Sequence, residues 1–209
     1  MLNKEYDINI QELDLSNNEL QNLPIEIGNL RNLQILDLSN NKLQSSASEI
    51  GNLINLQYLN LSNNQLQSLP AEIGNLINLQ NLYLSNNQLQ SSASEIGNLI
   101  NLKNLDLSNN QLQSLPAEIG NLCNLQRLYL LNNELQSLPA EILKIINALV
   151  INESSYDINN LNIENEIIIF YKLTDKINNL PINTKEIWLK SDIKNYEIKL
   201  PFGCVIKYF

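Results

Sequence analysis

A unit of 23 residues recurs six times between Ile10 and Asn147, reading L-x-x-L-x-L-S-N-N-x-L-x-x-L-P-x-E-I-G-N-L-x-N. So short a unit cannot bury an apolar face by itself, so its copies must stack and share one continuous core. The chain is therefore expected to be an elongated solenoid, whose function lies on its surface.

The copies begin at Ile10, Leu33, Leu56, Leu79, Leu102 and Leu125. Within each, a stretch such as Ile35-Leu36-Asp37-Leu38-Ser39 alternates apolar and variable residues, the period of a short strand with one buried face. Leu36 and Leu38 point inward; Ile35, Asp37 and Ser39 point outward. Stacked strands form a parallel sheet about 4.8 Å apart, and their outward side chains line up in columns. The second half of the unit, as in Leu69-Pro70-Ala71-Glu72-Ile73-Gly74, places Pro at the first helical position, Glu in the first turn and Gly near the end, which predicts a turn or two of helix or 3₁₀. Asn18, Asn41, Asn64, Asn87, Asn110 and Asn133 follow the strands where the chain must turn. Their amides suit a structural ladder that satisfies backbone groups of their own and the adjacent unit.

These motifs, L-x-x-L-x-L-x-x-N-x-L with L-P-x-E-I-G-N-L, resemble the leucine-rich repeat family, and the 23-residue variety is similar to that of intracellular Ras-pathway scaffolds and Ras-suppressor proteins. The resemblance covers residues 10–147. It implies an α/β solenoid with a curved parallel sheet on the concave face and short helical or 3₁₀ turns on the convex face. It also implies that the concave face binds protein or peptide.

Residues 1–9 read as a short N-terminal cap and 148–209 as a C-terminal cap with degenerate repeats, because the 23-residue period fails after Asn147. There Leu180 to Lys190 looks like a weakened repeat with Ile187 and Leu189 inward. Glu166 to Tyr171 and Cys204 to Tyr208 suit strands by their β-branched and aromatic content. The Leu180-Pro181 pair and the Leu200-Pro201-Phe202-Gly203-Cys204 ending resemble leucine-rich proteins of amoeba-infecting giant viruses.

The formal charge is −9, and residues 1–149 carry 6 basic against 14 acidic groups. Acidic repeats repel phosphate backbones and anionic membrane surfaces, which disfavours nucleic acid and membrane as partners. There is no histidine, and Cys123 and Cys204 lack metal-ligand spacing, so neither a metal site nor a cofactor is indicated. Without an apolar leader the protein is expected in the cytoplasm, the host cytoplasm if it is viral. No nucleophile motif or phosphate loop supports an enzyme.

Two units depart from the pattern. Ser46-Ala47 and Ser92-Ala93 stand where the others have Leu-Pro, which removes an inward leucine. Ser46-Ala47-Ser48-Glu49 reads as a capping box, in which hydroxyl and carboxylate satisfy helix-start amides. The alternation also exposes a duplication, because residues 33–78 match 79–124 at 39 of 46 positions. Five of the seven differences fall at outward positions in or just before the strands, while exposed convex positions such as Gln44/Gln90 did not change. Tolerance alone explains that poorly; selection for a heterogeneous concave surface explains it better.

The outward residues run from an acidic end (Glu12, Asp14, Asp37) to an aromatic end with an arginine. Tyr58, Tyr83, Tyr129 and Arg127 are the types that dominate interface hot spots, and Asp37, Asn60, Asp106 and Leu131 complete the candidate partner-binding set. Tyrosine also simply fits strands. The carboxylates read as a solvated patch that steers a basic partner rather than as a metal or acid–base site. The expected activity is a monomeric, non-enzymatic scaffold that binds a protein or peptide. The alternative is a structural protein that self-assembles through exposed solenoid ends.

Overall fold

The computed structural model describes residues 9–130, 132–135, 139 and 141, together with the backbones of four later strands. Six three-residue strands come first: β1 (Glu12–Asp14), β2 (Ile35–Asp37), β3 (Tyr58–Asn60), β4 (Asn81–Tyr83), β5 (Asn104–Asp106) and β6 (Arg127–Tyr129). Then come β7 (Ala148–Ile151), β8 (Ile167–Phe170), β9 (Glu186–Leu189) and β10 (Val205–Tyr208). All ten lie in one sheet in sequence order, and every neighbouring pair is parallel.

From β1 to β6 the register advances by 23 residues per strand, as in Leu36↔Leu59 and Leu82↔Leu105. Beyond β6 the step shortens to 21 (Leu128↔Leu149) and then to 19 (Ala148↔Ile167, Ile167↔Glu186, Val205↔Glu186). The 23-residue period does fail in the tail, yet strands continue at a shorter and regular spacing. β8 and β10 fall inside the stretches whose composition suits strands. The inward assignment of Ile187 and Leu189, the Leu180-Pro181 segment and residues 1–8 lie outside the described residues.

Leucine dictates this stack because one leucine of each strand and those flanking it all turn to the same side. Leu36, Leu38, Leu59, Leu61, Leu82, Leu84, Leu105 and Leu107 are fully buried, and they form one core with Leu and Ile from the turns. Burial of each such side chain contributes about 1.5–3 kcal/mol, which no single unit could collect alone.

The convex side is a row of 3₁₀ segments: Ile25–Asn29, Ser48–Asn52, Ala71–Asn75, Ser94–Asn98 and Ala117–Asn121. Pro24, Pro70 and Pro116 sit one place earlier than a first helical residue. They occupy the cap with extended backbone, Pro70 at φ −71° and ψ 149°. Adjacent segments stack so closely that a Cβ on Gly51 would lie 2.6 Å from the Glu72 carbonyl oxygen. Glycine is needed there for the approach of one backbone to another.

The capping-box reading of Ser46 and Ser92 is corrected. The cap residues are Ala47 and Ala93, and neither segment has a side-chain cap. The hydroxyls of Ser46 and Ser92 instead turn inward, into the column held by Leu69 and Leu115, and are buried without a hydrogen-bond partner. The short segment begins at Ser48, so Ser46 lies too far ahead of its free N–H groups to reach them. Ser48 Oγ donates to Glu49 Oε2 at 3.2 Å, which ties up the carboxylate as well.

Candidate functional site

The register sorts the outward strand positions into two columns. One holds Glu12, Ile35, Tyr58, Asn81, Asn104 and Arg127; the other holds Asp14, Asp37, Asn60, Tyr83, Asp106 and Tyr129. Seven of the eight residues in the partner-binding set thus share one face, and Leu131 lies outside the described residues. The serines assigned to the same face behave differently, because Ser39, Ser62 and Ser108 are buried. The strands end before them and the chain folds inward.

That inward turn recruits the second column. Asp37 Oδ1 accepts the backbone N–H of Ser39 at 2.8 Å, Asn60 Oδ1 that of Ser62 at 3.0 Å, and Asp106 Oδ1 that of Ser108 at 2.9 Å. Each side chain closes an Asx-type turn on its own strand, so part of its bonding capacity is structural. Asp14 makes the same bond to Ser16 at 2.8 Å, and the amide holds its carboxyl below the usual range. Asp37 is further engaged, since its Oδ2 accepts from Asn60 Nδ2 at 3.2 Å. Asp106 Oδ1 takes the Ser108 hydroxyl at 2.6 Å, which leaves Oδ2 without a bond.

The tyrosines form an aromatic patch between the acidic groups. The rings of Tyr58 and Tyr83 lie 5.4 Å apart at 48°, a tilted contact across adjacent strands. Burial pushes the Tyr58 hydroxyl above its ordinary pKa, with further help from the negative charge of Asp37 and from Tyr83. In the first column Asn104 Nδ2 donates to Asn81 Oδ1 at 2.6 Å, and the Asn104 carbonyl is buried without a partner. Arg127 is exposed at the end of this column.

The asparagine pairs divide the work of the turn. The first member, from Asn17 to Asn132, takes a left-handed backbone with φ between 50° and 57°, which Asn tolerates better than most residues. The second member carries the ladder. Asn64 Nδ2 donates to the carbonyls of Leu38 (3.0 Å), Leu61 (3.1 Å) and Ser62 (3.2 Å), while its Oδ1 accepts the Leu43 N–H at 3.0 Å. Asn41, Asn87 and Asn110 repeat this pattern and are buried; Asn133 makes the corresponding bonds to Leu107 O, Leu130 O and Leu112 N. Asn18 is exposed and donates to Ser16 O at 2.7 Å.

One surface escaped the sequence reading. A polar groove of about 540 Å³ runs beside the strand entrances, lined by Gln34, Gln57, Gln80 and Lys103 on one wall and Asn55, Asn78, Asn101 and Asn124 on the other. The asparagines are pinned, each amide donating at 2.8 Å to a carbonyl of the preceding unit. Ile54, Ile77 and Ile100, each one residue before a lining asparagine, are about half exposed. The signal was present in the Gln before each strand, replaced by Lys103 before β5, and in the constant Asn two places after the Leu that follows each 3₁₀ segment. Neither residue type announces a surface by itself. Among the described residues, no group of three His, Cys, Asp or Glu could hold a metal ion, and no helix is long and apolar enough to cross a membrane.

A family model described as Leucine Rich repeats (2 copies) matches residues 8–52, 54–98 and 100–144, well over half of the chain. The chain belongs to the leucine-rich repeat family. No curated protein matches it at a significant level. Among solved structures, a leucine-rich repeat protein of Leptospira interrogans is similar at 29% identity with a TM-score of 0.70, covering 95% of this chain and 65% of that one. The plant peptide hormone receptor RGFR1, in complex with RGF2, is 29% identical with a TM-score of 0.61, covering 86% of this chain and 35% of the receptor chain. This leucine-rich repeat chain thus spans less than two thirds of either.

Proposed function

We propose that this protein is a non-enzymatic scaffold that binds a protein or peptide, basic in character, on the concave face of its sheet. One observation carries the reading. Between the duplicated halves, all four outward strand positions of β2 and β3 differ from those of β4 and β5: Ile35/Asn81, Asp37/Tyr83, Tyr58/Asn104 and Asn60/Asp106. The inward leucines at the centres of these strands and the 3₁₀ segments are identical in sequence. Exposed convex positions such as Gln44/Gln90 and Ser68/Ser114 did not change, so tolerance of exposed positions alone explains this concentration on one face poorly.

The test is affinity capture from the source cells with the wild type, with a Tyr83→Ala/Tyr129→Ala double variant, and with a convex control, Gln44→Ser. Specific partners should be lost with the double variant and kept with the control, at an unchanged circular-dichroism melt. Equal recovery with the double variant would place binding elsewhere. A second reading, assembly through the sheet ends, rests on β1 and β10 closing the strand order without a further neighbour among the described residues. Light scattering that reports a concentration-independent monomer would rule it out.

A further inference from the structure

We propose that Tyr83, Asp106 and Tyr129 form a slot for one cationic side chain, arginine or lysine, of an extended peptide or protein segment. The proposal rests on the concave-face reading and names what that face recognises. Asp106 is paired in register with Tyr83 on one side and Tyr129 on the other. With strands about 4.8 Å apart, a cation above Asp106 lies roughly that far from the ring column on each flank, inside the ~6 Å range of cation–π attraction.

The carboxylate is fitted for this task where its neighbours are not. Oδ1 of Asp106 is committed to Ser108, which fixes the side chain, and Oδ2 has no hydrogen bond. Asp37 has both oxygens engaged, by Ser39 and Asn60. Asp14 has Asp37 rather than an aromatic residue beside it in register. Tyr83 is braced from the far side by the Tyr58 ring at 5.4 Å. Among the described residues the one ion pair is Lys42 with Glu19, so none of their cations neutralises Asp106, and Arg127 stands in the other column opposite Asn104.

The duplication supplies an independent argument. The positions that correspond to Tyr83 and Asp106 in the first half are Asp37 and Asn60, and Tyr129 follows in the unit after the duplication. Two of the four concave differences between the halves therefore convert an acidic and amide pair into an aromatic residue beside a free carboxylate. A partner that carries an exposed Arg or Lys meets matched charge and ring faces at this place on the sheet.

Asp106→Asn isolates the charge, because Asn60 shows that an amide closes the same turn, accepting the Ser62 N–H at 3.0 Å. The probe is N-acetyl-arginine amide, titrated into the full labelled chain by NMR and compared with its neutral isostere N-acetyl-citrulline amide. The arginine probe should move the Asp106, Tyr83 and Tyr129 side-chain resonances saturably, and citrulline or the Asp106→Asn variant should bind about tenfold more weakly. Equal binding of the two probes, shifts that map to other residues, no shift up to the solubility limit, or unchanged affinity in Asp106→Asn would each overturn the slot. The same variant separates this from the broader reading. If Asp106→Asn leaves partner capture intact while Tyr83→Ala/Tyr129→Ala abolishes it, the slot is wrong and the concave face still binds.

Discussion

Replacing Ser46 and Ser92 by leucine should stabilise the fold, because both hydroxyls occupy core positions without a bond. The two serines are 7% and 8% exposed, against 7% and 6% for Leu69 and Leu115 in the same column, so the sites are as enclosed as their leucine counterparts. Burying a leucine side chain contributes about 1.5–3 kcal/mol. Removing an unsatisfied buried hydroxyl contributes about 1–3 kcal/mol more. Against these stands the strain of added volume, about 1–3 kcal/mol where neighbours have settled into the space. The balance is a gain of roughly 1–2 kcal/mol per site, and the two sites, two units apart, should add. Urea denaturation reads this as a higher midpoint at constant m-value, and because repeat arrays can unfold piecemeal, amide exchange at Ile50 and Ile96 gives the local gain. Ser46→Ala separates the terms: it removes the orphan hydroxyl without filling space and should gain about 1–3 kcal/mol. If Ser46→Ala destabilises, the hydroxyl is satisfied after all; if Ser46→Leu destabilises while Ser46→Ala does not, the leucines on either side already fill the column. Either result would refute the view that these two hydroxyls occupy core space better filled by leucine.

The asparagine ladder predicts a graded series: Asn64→Ala should cost about 3 kcal/mol or more, since several buried backbone groups lose their partner together, while Asn18→Ala, exposed and singly bonded, should stay within about 0.5 kcal/mol in the same denaturation assay. Tyr58 should ionise above the ordinary tyrosine value, because burial disfavours its charged form. Its folded pKa lies above the unfolded value of 10.0, so its contribution to stability is complete below that value and is lost as pH rises through the folded pKa. Ultraviolet titration should show a late tyrosinate component that Tyr58→Phe removes; a titration unchanged by that substitution would contradict the burial argument.

Much of this was legible because a repeat converts one inference into six. The L-x-L alternation at Leu36 and Leu38 fixed which side of every strand faces the core, and constant spacing fixed which residues share a column. The same reasoning failed where a role depends on a single residue's place at an element end. Ser46 reads as a cap by spacing, but the 3₁₀ segment starts one residue too late for it. Ser39 follows the alternation outward, yet the strand has already ended at Asp37 and the chain carries the serine inside. The groove of Gln34 and Asn55 was invisible because amides scattered along a sequence signal no surface until stacking aligns them. In the tail, the 19-residue strand step is hidden by the absence of a repeated motif.

By itself, then, the sequence determined the architecture, the inward leucines, the ladder asparagines and the duplication, because these follow from periodicity and burial, which are properties of the pattern. Only the tertiary structure decided which groups remain free to bind. Asp14, Asp37 and Asp106 look alike as letters, but hydrogen bonds across the turns and between strands occupy both oxygens of Asp37, and only register sets Asp106 between two rings. Bonding capacity is shared out among neighbours in space, and a linear pattern does not record how much of it is left.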